Sequence, residues 1–85
     1  MLTLRLYIAG NAPNSVQAIA NTRAVCEAHF ALQHVLEIVD LLQFPKRALD
    51  DRIIVTPTLL KLMPLPVKRV IGNLSDHEQL LLALR

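Results

Sequence analysis

Cysteine is almost absent from this 85-residue chain, and the one present, Cys26, has no partner for an internal disulfide. A lone thiol fits a reducing compartment, and without a Cys-x-x-Cys pair there is no second sulfur to carry disulfide exchange. Gly10 and Gly72 are the only glycines, too few for the glycine-rich loops that cradle nucleotide phosphates. Tryptophan is missing, and Tyr7, Phe30 and Phe44 are the only aromatics, which leaves no set of base-stacking platforms for nucleic acid. No apolar run approaches the roughly 18–20 residues of a bilayer span. Met1 to Arg5 leads at once into a strand pattern rather than a signal peptide. The expectation is a soluble, cytoplasmic protein with no membrane or nucleic-acid partner.

What the chain does have is aliphatic bulk. Hydrophobic residues make up 53% of it, in a domain small enough to bury only about 60–65% of its unfolded surface. Such an excess suits a protein that covers part of its surface in a homo-oligomer or against a partner. The net charge is +2, and Lys46, Arg47, Arg52, Lys61, Lys68 and Arg69 are dispersed rather than massed as a nucleic-acid binder would have them.

Thr3 to Ala9 alternates and carries β-formers, predicting a first strand. Gly10 to Asn14 is a loop. Asn14 with Gln17 suggests a capping box for a helix whose apolar stripe is Val16, Ile19, Ala20, Ala24, Cys26 and Phe30. His34 to Asp40 reads as a second strand, parallel to the first because a helical crossover joins them. Pro45 suits the first turn of a short helix within Leu41 to Asp51. Strands at about 58–62 and 67–71 follow, broken by Pro64-Leu65-Pro66 and closed by Gly72. Ser75 with Glu78 predicts a capping box for a last helix that buries Leu80, Leu81 and Leu84. The order β-α-β-α-β-β-α gives a single α/β domain over residues 1–85: three layers around a mixed four-stranded sheet. Thr56-Pro57-Thr58 opens the hairpin, with Pro57 expected to follow a cis peptide bond. That corner resembles the cis-proline corner of the thioredoxin fold.

Redox members of that fold carry Cys-x-x-Cys in the loop after the first strand, where the helix dipole lowers a thiol pKa. Here the loop is Gly10-Asn11-Ala12-Pro13-Asn14-Ser15, without cysteine. Ser15 has no base near it in sequence, and a serine at a helix start is more often structural than nucleophilic. Cys26 lies more than two helical turns further on. His29, His34 and His77 lack metal-ligand spacing. Asp50 and Asp51 are neighbours about 100° apart on a helix, so they read as a solvated or partner-binding face rather than a catalytic pair. No catalytic, cofactor or metal site is expected.

Two long stretches carry a more specific resemblance. Leu6-Tyr7-Ile8-Ala9-Gly10-Asn11-Ala12-Pro13-Asn14-Ser15 resembles the opening of the KaiB circadian clock family, and so does the segment from Asp51 through Thr56-Pro57-Thr58 to Ser75. The likeness runs from about Leu4 to Leu84. It implies a non-enzymatic regulator that binds the ring ATPase KaiC, modulates its phosphorylation and output, captures KaiA and displaces the kinase SasA, whose sensor domain has a KaiB-like fold. It also implies fold switching between a rearranged tetramer and a thioredoxin-like monomer. The residues expected to face the ring are Lys46, Arg47, Asp50, Asp51 and Arg52. The alternative is a KaiB-like paralogue or sensor-type domain that binds a different ATPase or kinase. A thiol-redox enzyme is a distant third.

Departures from the clock pattern bear on both partner and switch. Glu37 and Gln17 stand where clock members tend to be basic, which argues against capture of a KaiA-like protein. Ala83 and Arg85 replace a glycine and an acidic residue, and the acidic tail is not seen after Arg85. Alanine exceeds glycine by about 0.8–1 kcal/mol inside a helix, and a cation in the last turn adds about 0.3–1 kcal/mol. With Pro57, Pro64 and Pro66 shaping the hairpin, these residues are the expected fold-state determinants, and the thioredoxin-like form is expected to dominate.

Overall fold

The first strand, β1 (Leu2–Ile8), decides the architecture: one face is wholly aliphatic, and the other, Thr3, Arg5 and Tyr7, is polar but buries Tyr7. Leu2, Leu4, Leu6 and Ile8 are buried on one side and Tyr7 on the other, so each face needs its own cover. In the computed structural model, which describes all 85 residues, the helices α1 (Pro13–His29) and α3 (His77–Leu84) cover the first face, and α2 (Pro45–Asp50) covers the second. The remaining strands are β2 (His34–Asp40), β3 (Thr58–Met63) and β4 (Lys68–Ile71). Their order across the sheet is β2-β1-β3-β4. β1 and β2 run parallel, and β1–β3 and β3–β4 are antiparallel. This is the expected mixed sheet and thioredoxin-like order. No helix is long and apolar enough to cross a membrane.

The main core joins the β1 leucines to Ala18, Val25 and Cys26 of α1, Leu59 of β3, Leu74, and Leu80 and Leu84 of α3. The stripe that α1 buries differs from the expected one. Ser15, Ala18, Thr22, Val25 and Cys26 face the sheet, while Val16 is exposed. Ile19 and Phe30 pack only at the margin. The buried stripe is made largely of small or polar side chains, and an apolarity count selects the neighbouring stripe instead.

Both predicted capping boxes are replaced. Ala12, not Asn14, is the cap of α1, and Pro13 opens the helix, where its missing N–H is no loss. Asp76, one residue beyond Ser75, caps α3 by accepting from the Gln79 N–H at 3.1 Å. The Ser75 N–H is taken by Asn73 Oδ1 at 3.1 Å, so it precedes the cap. Asn73 thereby braces Leu74, which is buried in the left-handed region at φ 62°. Ala83 lies inside α3, whereas Arg85 follows its last helical residue and donates its N–H to the Leu81 carbonyl at 3.1 Å.

The peptide bond before Pro57 is cis, as expected, and those before Pro64 and Pro66 are cis as well. The two latter prolines form the turn between β3 and β4. Lys61 is buried, against its reading as a surface cation. Strand alternation puts it on the face of Leu59, opposite Leu4 and Lys68, where its methylene stem covers apolar surface.

Candidate interaction face and family

α2 has six residues and buries only Ala48. A helix of that length is not stable by itself. Side chains from the sheet hold it. Arg5 and Tyr7 alternate along β1 on the face beneath α2, and Glu37 of β2 is in register with Arg5. The Tyr7 hydroxyl lies 2.5 Å from Asp51 Oδ2 and 2.9 Å from the Arg47 carbonyl. Arg5 donates to Asp51 at 2.9 Å and to Glu37 at 2.7 Å. Arg47 completes the ring with two bonds to Glu37, at 2.8 and 2.9 Å. The Arg69 guanidinium donates to the backbone carbonyls of Asp51 and Arg52 just past the helix.

The electrostatics follow the same bonds. Hydrogen bonds from Arg47 and then Arg5 pull the Glu37 carboxyl down to about 2. Burial works against the Asp51 anion, but the bonds from Tyr7 and Arg5 prevail and hold it below the usual carboxylate range. Burial, reinforced by Asp51, pushes the Tyr7 phenol up to about 12. Bonds to Glu37 and Asp51 raise the Arg5 guanidinium further. All of these groups keep their ordinary charge at neutral pH, which is the behaviour of a brace rather than of an acid–base catalyst.

The five residues read as a partner face thus separate into two sets. Arg47 and Asp51 point into the brace. Lys46 and Asp50 face outward and pair across one helical turn at 3.1 Å, and Arg52 forms no ion pair. Leu49 stands between Lys46 and Asp50 and is 76% exposed. Arg5, Tyr7 and Arg69 were not singled out for this site from the sequence. The alternation of Arg5 and Tyr7 with leucines on β1 is the signal that a polar network lies beneath α2.

Elsewhere the polar groups have local tasks. Ser15 is buried and accepts the Ala9 N–H at 3.1 Å, which ties the β1–α1 turn. Gly10, at φ +53°, makes that turn, and its N–H goes to Asp40 Oδ1 at 3.1 Å. Burial pushes the fully enclosed Cys26 thiol up to about 11. His34 Nδ1 lies 2.8 Å from the Phe30 carbonyl and His77 Nε2 lies 3.0 Å from Asn21 Oδ1.

A thioredoxin-like sheet, a thiol-free β1–α1 loop and a short helix braced from beneath set the class of fold. Comparisons make the class specific. The KaiB domain model matches residues 5–85, and the chain belongs to the KaiB family. It is 47% identical over 81 residues to the circadian clock oscillator protein KaiB of Synechococcus elongatus, covering 95% of this chain and 79% of that protein. It is 46% identical to the protein of the same description from Prochlorococcus marinus, covering 95% and 76%. Among solved structures, the N-terminal domain of Synechococcus elongatus SasA superposes with a TM-score of 0.77 at 23% identity, covering 94% of this chain and 75% of that one. Chloroplastic thioredoxin z gives 0.78 at 18% identity, covering 99% and 75%. The last two likenesses speak to the fold.

Proposed function

We propose that this chain is a non-enzymatic clock regulator of the cytoplasm that docks on a KaiC-type ring ATPase and modulates its phosphorylation and output, with α2 and its exit as the contact face. The observation that carries this reading is the 47% identity, across 95% of the chain, to a circadian clock oscillator protein. The geometry supports the choice of face. Arg47 and Asp51 fix the helix from below, and Lys46, Asp50 and Arg52 surround the exposed Leu49, which is an apolar centre within a charged rim. Glu37 is committed to Arg5 and Arg47, and capture of a KaiA-like protein is not part of the proposal.

The test is co-elution of the purified chain with a KaiC-type ATPase in the presence of ATP. Burying a leucine is worth about 1.5–3 kcal/mol, so Leu49→Glu is expected to weaken the complex by roughly ten-fold or more. Its melting temperature should be unchanged, because Leu49 touches no core. The absence of any complex would reject the ATPase as partner. A complex indifferent to Leu49→Glu would reject the face.

A further inference from the structure

Beside the hairpin lies a groove of about 380 Å³ lined by Arg52, Ile54, Val55, Thr58, Arg69 and Ile71. Its charged groups are two guanidiniums, and no carboxylate lines it. Asp51, the nearest in sequence, is turned away and bonded to Arg5 and Tyr7. Ile54 is 94% and Ile71 64% exposed, an unusual degree for isoleucine in a domain of this size. No helix covers this part of the sheet.

The groove runs along an open strand edge. β4 pairs only with β3. The Gly72 N–H bonds the Pro57 carbonyl at 3.0 Å, and the register pairs Val70 with Leu59 and Lys68 with Lys61. In an antiparallel ladder inward and outward backbone groups alternate. The N–H and C=O groups of Arg69 and Ile71 therefore face out, and the side chains of the same two residues line the groove. In the antiparallel register centred on Arg69, two copies of this strand would set Arg69 against Arg69, and cationic residues on an edge are the usual device that opposes self-pairing.

We propose that β4 is a docking edge for an extended acidic–apolar segment of a partner protein, which adds as a fifth strand. The side chains set its pattern. Lys68 and Arg69 call for two acidic neighbours, and Val70 and Ile71 for two apolar ones. Against an antiparallel strand, the commoner pairing, the segment reads apolar, apolar, acidic, acidic from its N-terminus. Main-chain bonds give the affinity and the charges give the direction, as in other strand additions. Apart from Arg52 and from Arg69, whose guanidinium also closes the α2 exit, this surface is separate from the α2 face, and it makes no use of the ATPase.

The probe is an acetylated eight-residue peptide with two valines followed by two glutamates at its centre, titrated into the isotope-labelled protein by NMR. The expected result is saturable shifts at the amides of Arg69 and Ile71, with slowed hydrogen exchange at both. Arg52→Asn, which tolerates the positive φ at that position, should weaken binding about three- to ten-fold, and so should an increase in salt. The same peptide with lysines for glutamates, or with its central amides N-methylated, should not bind. Three results overturn the proposal: no shift at about 2 mM peptide, enough to half-fill even a millimolar site; shifts centred on residues 34–40 of the other edge; or equal binding by the lysine or N-methylated peptide. Because no ATPase is present, failure here leaves the α2 reading standing, and the converse also holds.

Discussion

Replacing Tyr7 with phenylalanine takes one oxygen out of the centre of the α2 brace and leaves a ring of nearly the same shape in the core. That oxygen contacts Asp51 at 2.5 Å and the Arg47 carbonyl at 2.9 Å. A hydrogen bond to a charged group contributes about 1.5–3 kcal/mol net, and a neutral one about 0.5–1.5 kcal/mol. Tyr7 is fully buried, but the Asp51 side chain is 27% exposed and keeps its bond to Arg5, so water and Arg5 recover part of the loss. The expected cost is therefore about 1–2 kcal/mol. For a domain of this size the middle of that range lowers Tm by about 6–12 °C.

The assay is urea unfolding of the wild type, Tyr7→Phe, Asp51→Asn and the double variant. The Asp51→Asn change keeps the shape of the side chain but not its charge, and the Tyr7–Asp51 pair is expected to show a coupling energy of about 1 kcal/mol. Coupling within about 0.3 kcal/mol of zero would mean that the two groups do not meet, and the brace would have to be abandoned. Unchanged m-values are required for the comparison, since a shift there signals a change in the exposed surface instead.

Other expectations follow from the same bonds. Tyr7 is the only tyrosine, so absorbance titration reads it alone: the phenol should ionise near 12 in the folded protein, and a midpoint near 10 would contradict its burial against Asp51. Because its pKa is raised on folding, its contribution is complete below about 10 and is lost as pH rises toward 12. Glu37 is the opposite case. Its folded pKa is depressed to about 2, so its contribution is complete above about 4.5 and is lost as pH falls toward 2. Glu37→Gln should flatten the acid limb of a stability–pH curve, and an unchanged limb would place the acid sensitivity elsewhere. Cys26 should react with a thiol reagent only when the chain opens, roughly a thousand-fold more slowly in buffer than in urea; labelling at the rate of a free thiol would show that the α1–sheet contact is loose. Asp76→Ala should cost about 1 kcal/mol and Ser75→Ala a few tenths at most, and the reverse order would restore Ser75 as the cap of α3.

The fold was largely legible because its signals are local. β1 alternates, the parallel crossover follows from a helix between two strands, and Pro57 marks the hairpin entry. The α1 stripe is less legible because Ser15, Ala18 and Thr22, which it buries, are small or polar, and an apolarity count passes over them. The caps failed by one residue at α3 and by two at α1, because the turn at Asn73 delays one helix start and Pro13 fixes the other. The proposed contact face is half legible. Arg47 and Asp51 share a short charged segment with Lys46, Asp50 and Arg52, and only long-range partners separate them. Those partners, Arg5, Tyr7 and Glu37, lie on strands whose register the local pattern does not encode.

Arg69 joins the two halves of the molecule at this face. It comes from β4, yet its guanidinium closes the exit of α2 by donating to the carbonyls of Asp51 and Arg52. The turn it supports is the one in which the Arg52 and Ile53 amides bond back to Leu49 and Ala48 at 3.1 and 2.9 Å. The exit of the short helix therefore depends on the hairpin being formed. A lysine at position 69 would keep the charge but not the planar fork that spans two carbonyls. Arg69→Lys is expected to remove about 0.5–1.5 kcal/mol locally. Hydrogen exchange at Arg52 and Ile53 should then quicken by roughly three- to ten-fold, while amides in the middle of α1 keep their protection. If Arg52 and Ile53 exchange as in the wild type, the α2 exit is held by its own backbone, and the hairpin and the helix are independent.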